Sequence, residues 1–190
     1  MLVHEQITGF DVPIGAFALD RDTPIHTLSQ GTLIMPNRTG KAVLYLLIAY
    51  WIVTILGILL TILFDVLFHP PTPEELGVPV TQAPAYLMTL PFHPLLNLIV
   101  WPFFALWYLR GLAPKVPRFQ EAFRLGAFWA LITIIVDLIG WVLVPHVWQM
   151  TLNEFYVDYQ PWITLIYLII FLTPVVVALL MKTEQKSVPA

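Results

Sequence analysis

Four long apolar segments dominate this chain and restrict what it can fold into. They occupy residues 42–68, 85–109, 122–147 and 162–181. Each segment reaches the roughly 20 residues that an α-helix needs to cross the hydrocarbon core of a bilayer. Because that core holds no water, backbone polar groups must pair within each segment, which a helix achieves. The sequence therefore predicts an all-α membrane protein with four transmembrane helices.

The composition excludes an ordinary soluble domain. Of the 190 residues, 58% are hydrophobic and 11% are charged, whereas soluble domains are about one quarter charged. The absence of cysteine excludes disulfide, thiol-redox and Cys-ligated metal chemistry. The basic residues are scattered at the ends of the apolar segments, so we expect the lipid bilayer as a partner and no nucleic acid.

The basic residues also predict how the chain is threaded. They lie before the first segment, between the second and third, and after the fourth, at positions 21, 38, 41, 110, 115, 118, 124, 182 and 186. The loops at residues 69–84 and 148–161 contain acidic side chains but no Lys or Arg. The positive-inside rule then places both termini in the cytoplasm, and we expect the plasma membrane. Short loops make consecutive helices antiparallel neighbours, so an up-down four-helix bundle is predicted.

The rest of the chain forms short appendages on this bundle. We divide the sequence into an N-terminal cytoplasmic or interfacial segment at residues 1–41, a transmembrane domain at 42–182 and a cytoplasmic tail at 183–190. The N-terminal segment mixes apolar residues with Gly and Pro, and Thr23-Pro24 is typical of a helix start. A segment of this length cannot build a core alone, so we expect it to lean on the bundle, on lipid or on a partner.

The two acidic loops carry patterns typical of short helices. Thr72 is followed by Pro73 and two acidic residues, as at a capped helix start. Thr151 and Glu154 form a capping-box pattern. Aromatic residues surround the second pattern, and we expect them to form a belt at the outer membrane surface rather than a ligand site. These residues are Trp148, Phe155, Tyr156, Tyr159 and Trp162.

Asp137 is the main candidate for a functional residue, because it lies inside the third apolar segment. A charged side chain near the middle of a bilayer costs about 2.5 kcal/mol or more, so it normally faces protein or water. The residues on its helical face are mostly small or hydroxylated, which favours close helix packing. They are Gly126, Ala130, Thr133, Gly140 and Val144. Asp137 should therefore face the bundle.

Helix geometry places other polar residues at the depth of Asp137. At a rise of about 1.5 Å per residue, Asp137, Asn97 and Thr54 all lie about 20 Å from the cytoplasmic surface. His93 lies one turn further out, about 25 Å from that surface. The resulting candidates for a polar pocket or a proton or ion site are Asp137, Asn97, His93, Thr54, Thr133 and Tyr167.

Two interpretations of this layer stay open. A buried carboxylate and a histidine can relay protons, which favours ion-linked or proton-linked transport. Alternatively, Asp137 bonds to Thr133 or Asn97 and only locks the helices together. Pro91, Pro94 and Pro102 interrupt the second segment. Each removes a backbone donor, which indicates either a kink or a break beside a cavity.

A metal-dependent membrane hydrolase at the outer face is the alternative function. Asp65, His69 and His146 are candidates at the outer rim, and together with His93 and Asp137 they could supply oxygen and nitrogen ligands. No dense ligand motif is present, so we assign no metal and name no cofactor. We predict binding, ion-linked transport or membrane-complex assembly rather than covalent catalysis, either as a homo-oligomer or with another membrane protein.

Overall fold

A computed structural model describes residues 35–187, with side chains from 38 to 181. Residues 1–34, which include the expected helix start at Thr23, lie outside this range. The described chain is helical and contains no strand. Its helices are α1 (Met35–Phe68), α2 (Pro73–Leu76), α3 (Pro84–Thr89), α4 (His93–Arg110), α5 (Arg118–Asp137) and α6 (Trp162–Ser187).

Four helical stretches are long and apolar enough to cross a membrane, which confirms the predicted number. They are Arg38–Phe68, Pro84–Arg110, Arg118–Leu143 and Trp162–Met181. Much of their surface is apolar and exposed, as Trp51 and Ile99 illustrate at 62% and 72% exposure. A surface of this kind suits lipid rather than water.

Two tryptophans form the centre of the packed core. Trp101 of α4 and Trp129 of α5 are almost fully buried, and their ring centroids are 5.1 Å apart. The Trp129 indole donates a hydrogen bond to the Ala42 carbonyl oxygen of α1 at 2.9 Å. Buried ring N–H groups normally need such a partner. Three of the four spans are thus joined at one level.

The second span is interrupted where its prolines predicted. A 3₁₀ turn at Leu90–Phe92 separates α3 from α4. Pro91 lies in this turn and Pro94 lies in the first turn of α4, where a missing N–H is tolerated. Pro102 lies inside α4 without ending it.

The third span changes its helical form directly after Asp137. A π-helical segment, Leu138–Leu143, continues from α5. Backbone groups at its end are satisfied from the following loop, since the Met150 N–H donates to the Trp141 carbonyl at 2.8 Å. The helix ends at Leu143, before the end of the predicted apolar segment at Val147, because Val144 is extended (ψ 122°) ahead of Pro145. A residue before proline disfavours the helical conformation.

Residues 69–83 and 144–161 together form one end of the bundle, which we call the acidic end. The capped helix start predicted at Thr72 and the capping box predicted at Thr151 are both present there, and Thr72 forms a capping box as well. Thr72 and Glu75 exchange hydrogen bonds, as do Thr151 and Glu154. The Gln82 amide donates to the Glu154 carboxylate and connects the two loops. The Thr151 backbone N–H and the Gln82 amide hold the pKa of Glu154 below its usual range.

Candidate functional site

A cavity of about 110 Å³ lies between the four spans, and we call it the central cavity. It is lined by residues from every span and from the acidic end. These are Tyr50, Val53, Thr54, Gly57, Ile58, Thr61, Tyr86, His93, Leu96, Asn97, Trp101, Thr133, Asp137, Trp141, Trp148, Met150, Phe155, Tyr159, Ile166 and Ile170. Most of this lining is aromatic or aliphatic, with a few polar groups among it.

Asp137 lies at the wall of the central cavity and is 6% exposed. Its Oδ1 accepts a hydrogen bond from the Tyr50 hydroxyl at 2.8 Å, and its Oδ2 accepts one from the Tyr167 hydroxyl at 2.9 Å. The Trp141 indole donates in turn to the Tyr50 hydroxyl at 3.0 Å. The first, third and fourth spans therefore meet at this carboxylate. Hydrogen-bond donors to both carboxylate oxygens are suited to the ionised form of Asp137.

The position of Asp137 in its helix is also unusual. It is the last residue of α5, and the π-helical segment starts at the next residue. Such segments occur frequently at functional sites, because they widen the turn and redirect side chains. Here the segment carries Trp141, which contacts Tyr50.

The structure does not bond Asp137 to Asn97 or Thr133, so that part of the prediction is wrong. The Asn97 amide instead donates to the His93 carbonyl at 2.8 Å and accepts from the Trp101 indole at 2.7 Å. The Thr133 hydroxyl is buried and has no hydrogen-bond partner among the described residues. Thr54 also lines the cavity. Asn97, Thr133 and Thr54 line the same cavity as Asp137, as their similar depths predicted. The carboxylate of Asp137 is reached instead by the longer side chains of Tyr50 and Tyr167.

His93 lies between α1 and the acidic end. Its Nδ1 shares a hydrogen bond with the Tyr159 hydroxyl, and its Nε2 lies 3.5 Å from the Thr89 hydroxyl. Gly57 faces it from α1, where a Cβ atom would lie 3.5 Å from Nε2, an ordinary contact. His93 is thus part of the cavity wall, on the side nearer the acidic end.

Two of the five aromatic residues that we expected to form an outer surface belt are buried instead. Phe155 and Tyr159 are 3% and 8% exposed, and both line the central cavity together with Trp148. The π-helical turn Glu154–Asp158 directs Phe155 and Tyr159 toward each other, with ring centroids 6.0 Å apart. Burial raises the pKa of the Tyr159 hydroxyl well above its usual range. These rings cover the cavity instead of anchoring the surface.

A second cavity, also of about 110 Å³, lies at the acidic end, and we call it the side cavity. Tyr86, Met150 and Tyr159 line both cavities and therefore stand between them. Glu154 and Asp158 belong to the side cavity alone. Its remaining lining residues are Thr81, Gln82, Leu87 and Leu90.

The structure does not gather the proposed metal ligands. Asp65 and His69 are exposed at the end of α1, away from the cavity lining. The His146 ring donates to the Gly140 carbonyl at 2.6 Å and accepts from the Trp148 N–H at 3.0 Å. No group of three or more His, Cys, Asp or Glu side chains within 38–181 is placed to hold a metal ion.

Several site residues were missed by the sequence analysis. Tyr50 had a usable signal, because it lies four residues before Thr54 on the same face of α1. No sequence signal placed Trp141, Tyr86 or Tyr159 at the cavity, since the directions of their side chains depend on the π-helical segments and on the break before α4.

Comparisons with protein-family models, curated proteins and solved structures give no match.

Proposed function

We propose that this protein is a small plasma-membrane protein that binds a small molecule in the central cavity, either to sense or to transport it. The observation that carries this proposal is the Thr133 hydroxyl, which is 2% exposed and has no partner among the described residues. A buried hydroxyl without a hydrogen bond costs about 1–3 kcal/mol. A ligand in the cavity would supply the missing bond.

The chemistry of the lining supports the same proposal. Ligand sites are mostly apolar hollows in which a few polar groups fix the orientation of the ligand. The central cavity has this character, with Asp137, Asn97, Thr133 and Thr54 among aromatic rings. Proton-linked or ion-linked transport is the second candidate, favoured by the carboxylate of Asp137 at the cavity wall.

The proposed topology is an up-down bundle with the acidic end outside the cell and both termini in the cytoplasm. Contacts between the first two spans support antiparallel neighbours, since Tyr45 lies against Phe104 while Thr61, further along α1, lies against the earlier Thr89. The positive-inside rule supports the orientation. In this arrangement the side cavity opens outward. We keep association with a second copy or another membrane protein as an expectation.

Filling the central cavity tests the proposal. Gly57→Leu places an isobutyl group beside His93, whereas Gly40→Leu is a matched control on the same helix, where a Cβ atom meets nothing within 4 Å. The probes are choline and its uncharged carbon analogue, 3,3-dimethylbutan-1-ol. Calorimetry on the detergent-solubilised full chain would measure binding.

We expect at least one probe to bind saturably to the wild type and to Gly40→Leu. In Gly57→Leu we expect its Kd to rise roughly tenfold or more, because a ligand must displace the new side chain or bind elsewhere. Gly57→Ala, a milder change, should give an intermediate loss and checks that the effect follows the filled volume. Binding of neither probe, or equal binding to Gly57→Leu and Gly40→Leu, would refute the proposal.

A further inference from the structure

We infer that the ligand of the central cavity is a small organic cation, such as a methylated amine, that enters through the side cavity. This inference rests on the proposed function and specifies its ligand class. Three features of the described residues support it: the charge of the central cavity, its aromatic lining and the acidity of the route to it.

Among the described residues, the central cavity contains a carboxylate that is not paired with Lys or Arg. Asp137 is the one Asp, Glu, Lys or Arg in that lining, and the ring nitrogens of His93, which also lines the cavity, face Tyr159 and Thr89 rather than Asp137. The sequence has no Lys or Arg between positions 42 and 109, or between 125 and 181. Tyr50 and Tyr167 hydrogen-bond the carboxylate but do not neutralise it. Because a buried charge without a counter-charge is costly, a cationic ligand would be stabilised here.

The aromatic lining is suited to the same kind of ligand. An ammonium group is attracted to the face of an aromatic ring within about 6 Å of its centre, most strongly by tryptophan. Tyr86 has its ring centroid 6.0 Å from those of both Trp148 and His93, and His93 is equally far from Tyr159. The aromatic residues that line the cavity are Tyr50, Tyr86, Trp101, Trp141, Trp148, Phe155 and Tyr159.

Other ligand classes fit these surroundings less well. An anion would be repelled by the carboxylate of Asp137. A neutral apolar molecule would fill the space but leave that charge without a partner. A bare metal cation needs several ligands at once, about six oxygens for Ca²⁺ or Mg²⁺ and about four nitrogen, oxygen or sulfur atoms for Zn²⁺. No group of three or more His, Cys, Asp or Glu side chains within 38–181 is placed to supply them. The volume of about 110 Å³ also favours a compact head group over a large amphiphile.

The side cavity provides an acidic approach to the central one. Glu154 and Asp158 line it, and the loops at 69–84 and 148–161 contain no Lys or Arg. Clefts of one charge sign raise the local concentration of the opposite ion and speed its association. The Thr81 hydroxyl, 6% exposed and unpaired among the described residues, also lines this cavity. Tyr86 and Tyr159 would have to move to admit a ligand.

The test compares choline with 3,3-dimethylbutan-1-ol, which has the same shape without the charge. Binding of both to the detergent-solubilised full chain is measured by calorimetry at constant ionic strength. We expect choline to bind at least about tenfold more tightly, as a desolvated cation on aromatic rings should. This comparison uses the native protein, so it does not depend on a variant that folds. Asp137→Asn should remove most of the difference and leave the affinity for the alcohol within about twofold.

Each outcome decides between the ideas. Equal binding, or tighter binding of the alcohol, overturns the cationic ligand and leaves the proposed cavity function standing. If neither probe binds, both ideas fail. If choline binds more tightly than the alcohol but Asp137→Asn does not change this difference, the assigned site is overturned.

A second experiment tests the route through the side cavity. The double variant Glu154→Gln with Asp158→Asn should slow choline association severalfold at low salt while changing its dissociation rate little. An unchanged association rate would overturn the route.

Discussion

The carboxylate of Asp137 accepts hydrogen bonds from two tyrosine hydroxyls, one from a residue earlier in the chain and one from a residue later in it. Tyr50 lies on α1 and Tyr167 lies on α6, and each donates to a different oxygen. The sequence shows a polar residue in an apolar helix, but its partners depend on how far neighbouring side chains reach. Asn97 illustrates the limit, because it has the right depth and still bonds within its own helix.

At this scale we predict that Tyr50→Phe and Tyr167→Phe each destabilise the protein by about 1.5–3 kcal/mol, since each removes a hydrogen bond to a charged group. The change in the free energy of unfolding would be measured in mixed detergent, with the helical circular dichroism signal as the probe. Tyr45→Phe is the matched control on α1, because its ring packs against Phe104 and its hydroxyl has no hydrogen bond within the described chain. If all three variants are equally stable, the carboxylate is not held by these tyrosines.

Two irregular elements lie next to lining residues of the central cavity, since one directly precedes His93 and the other contains Trp141. The 3₁₀ turn at Leu90–Phe92 interrupts the second span, and the π-helical segment at Leu138–Leu143 widens the third. Pro91 is a sequence signal for the 3₁₀ turn, whereas no residue pattern predicts the π-helical segment.

Close contact between α5 and α6 holds the other end of the bundle. Gly126 is buried there, and a Cβ atom at this position would overlap the Phe171 carbonyl oxygen. On the stripe around Asp137, Gly126 therefore serves helix packing and Thr133 lines the cavity, whereas Val144 at the far end is exposed. Glycine is needed at position 126 because backbone, not a flexible side chain, occupies the space.

At the scale of elements we predict that Gly126→Ala destabilises the bundle by about 1–3 kcal/mol, because the helices must separate to admit the methyl group. Gly140→Ala is the matched control in the same span, where a Cβ atom meets nothing within 4 Å. That change should be neutral or slightly stabilising. Thermal unfolding of both variants in detergent would measure the difference, and equal stability would disprove the close contact.

The whole molecule has two chemically different ends. Acidic loops and buried aromatic rings form one end. Most of the Lys and Arg residues lie near the opposite ends of the spans. The cavities lie toward the acidic end, so the orientation in the membrane would decide which compartment supplies the proposed ligand. The topology that we propose from the positive-inside rule has the acidic end outside the cell.

Cysteine labelling would test this orientation cleanly, because the natural chain has no cysteine. We predict that Thr72→Cys reacts with a membrane-impermeant maleimide on intact cells, whereas Lys115→Cys reacts only after the membrane is opened. The unmodified protein, which should not react, is the control. The reverse pattern would place the acidic end in the cytoplasm and refute the proposed topology.

The sequence alone determined that the chain has four apolar helices, since length and hydropathy decide what a bilayer can hold. It also placed Asp137 within the third of them and indicated a kink or a break in the second from Pro91, Pro94 and Pro102, without showing at which proline. The capped helix start at Thr72 and the capping box at Thr151 were likewise predictable, because a cap depends on residues within three positions of each other.

Only the tertiary structure decided which side chains meet. It joined Asp137 to Tyr50 and Tyr167, left Thr133 without a partner among the described residues, and turned Phe155 and Tyr159 over the cavity. The physical reason is that helical periodicity gives the face and depth of a residue. Which groups bond across helices is set by the rotation, spacing and local widening of the helices, and these follow from packing of the whole bundle.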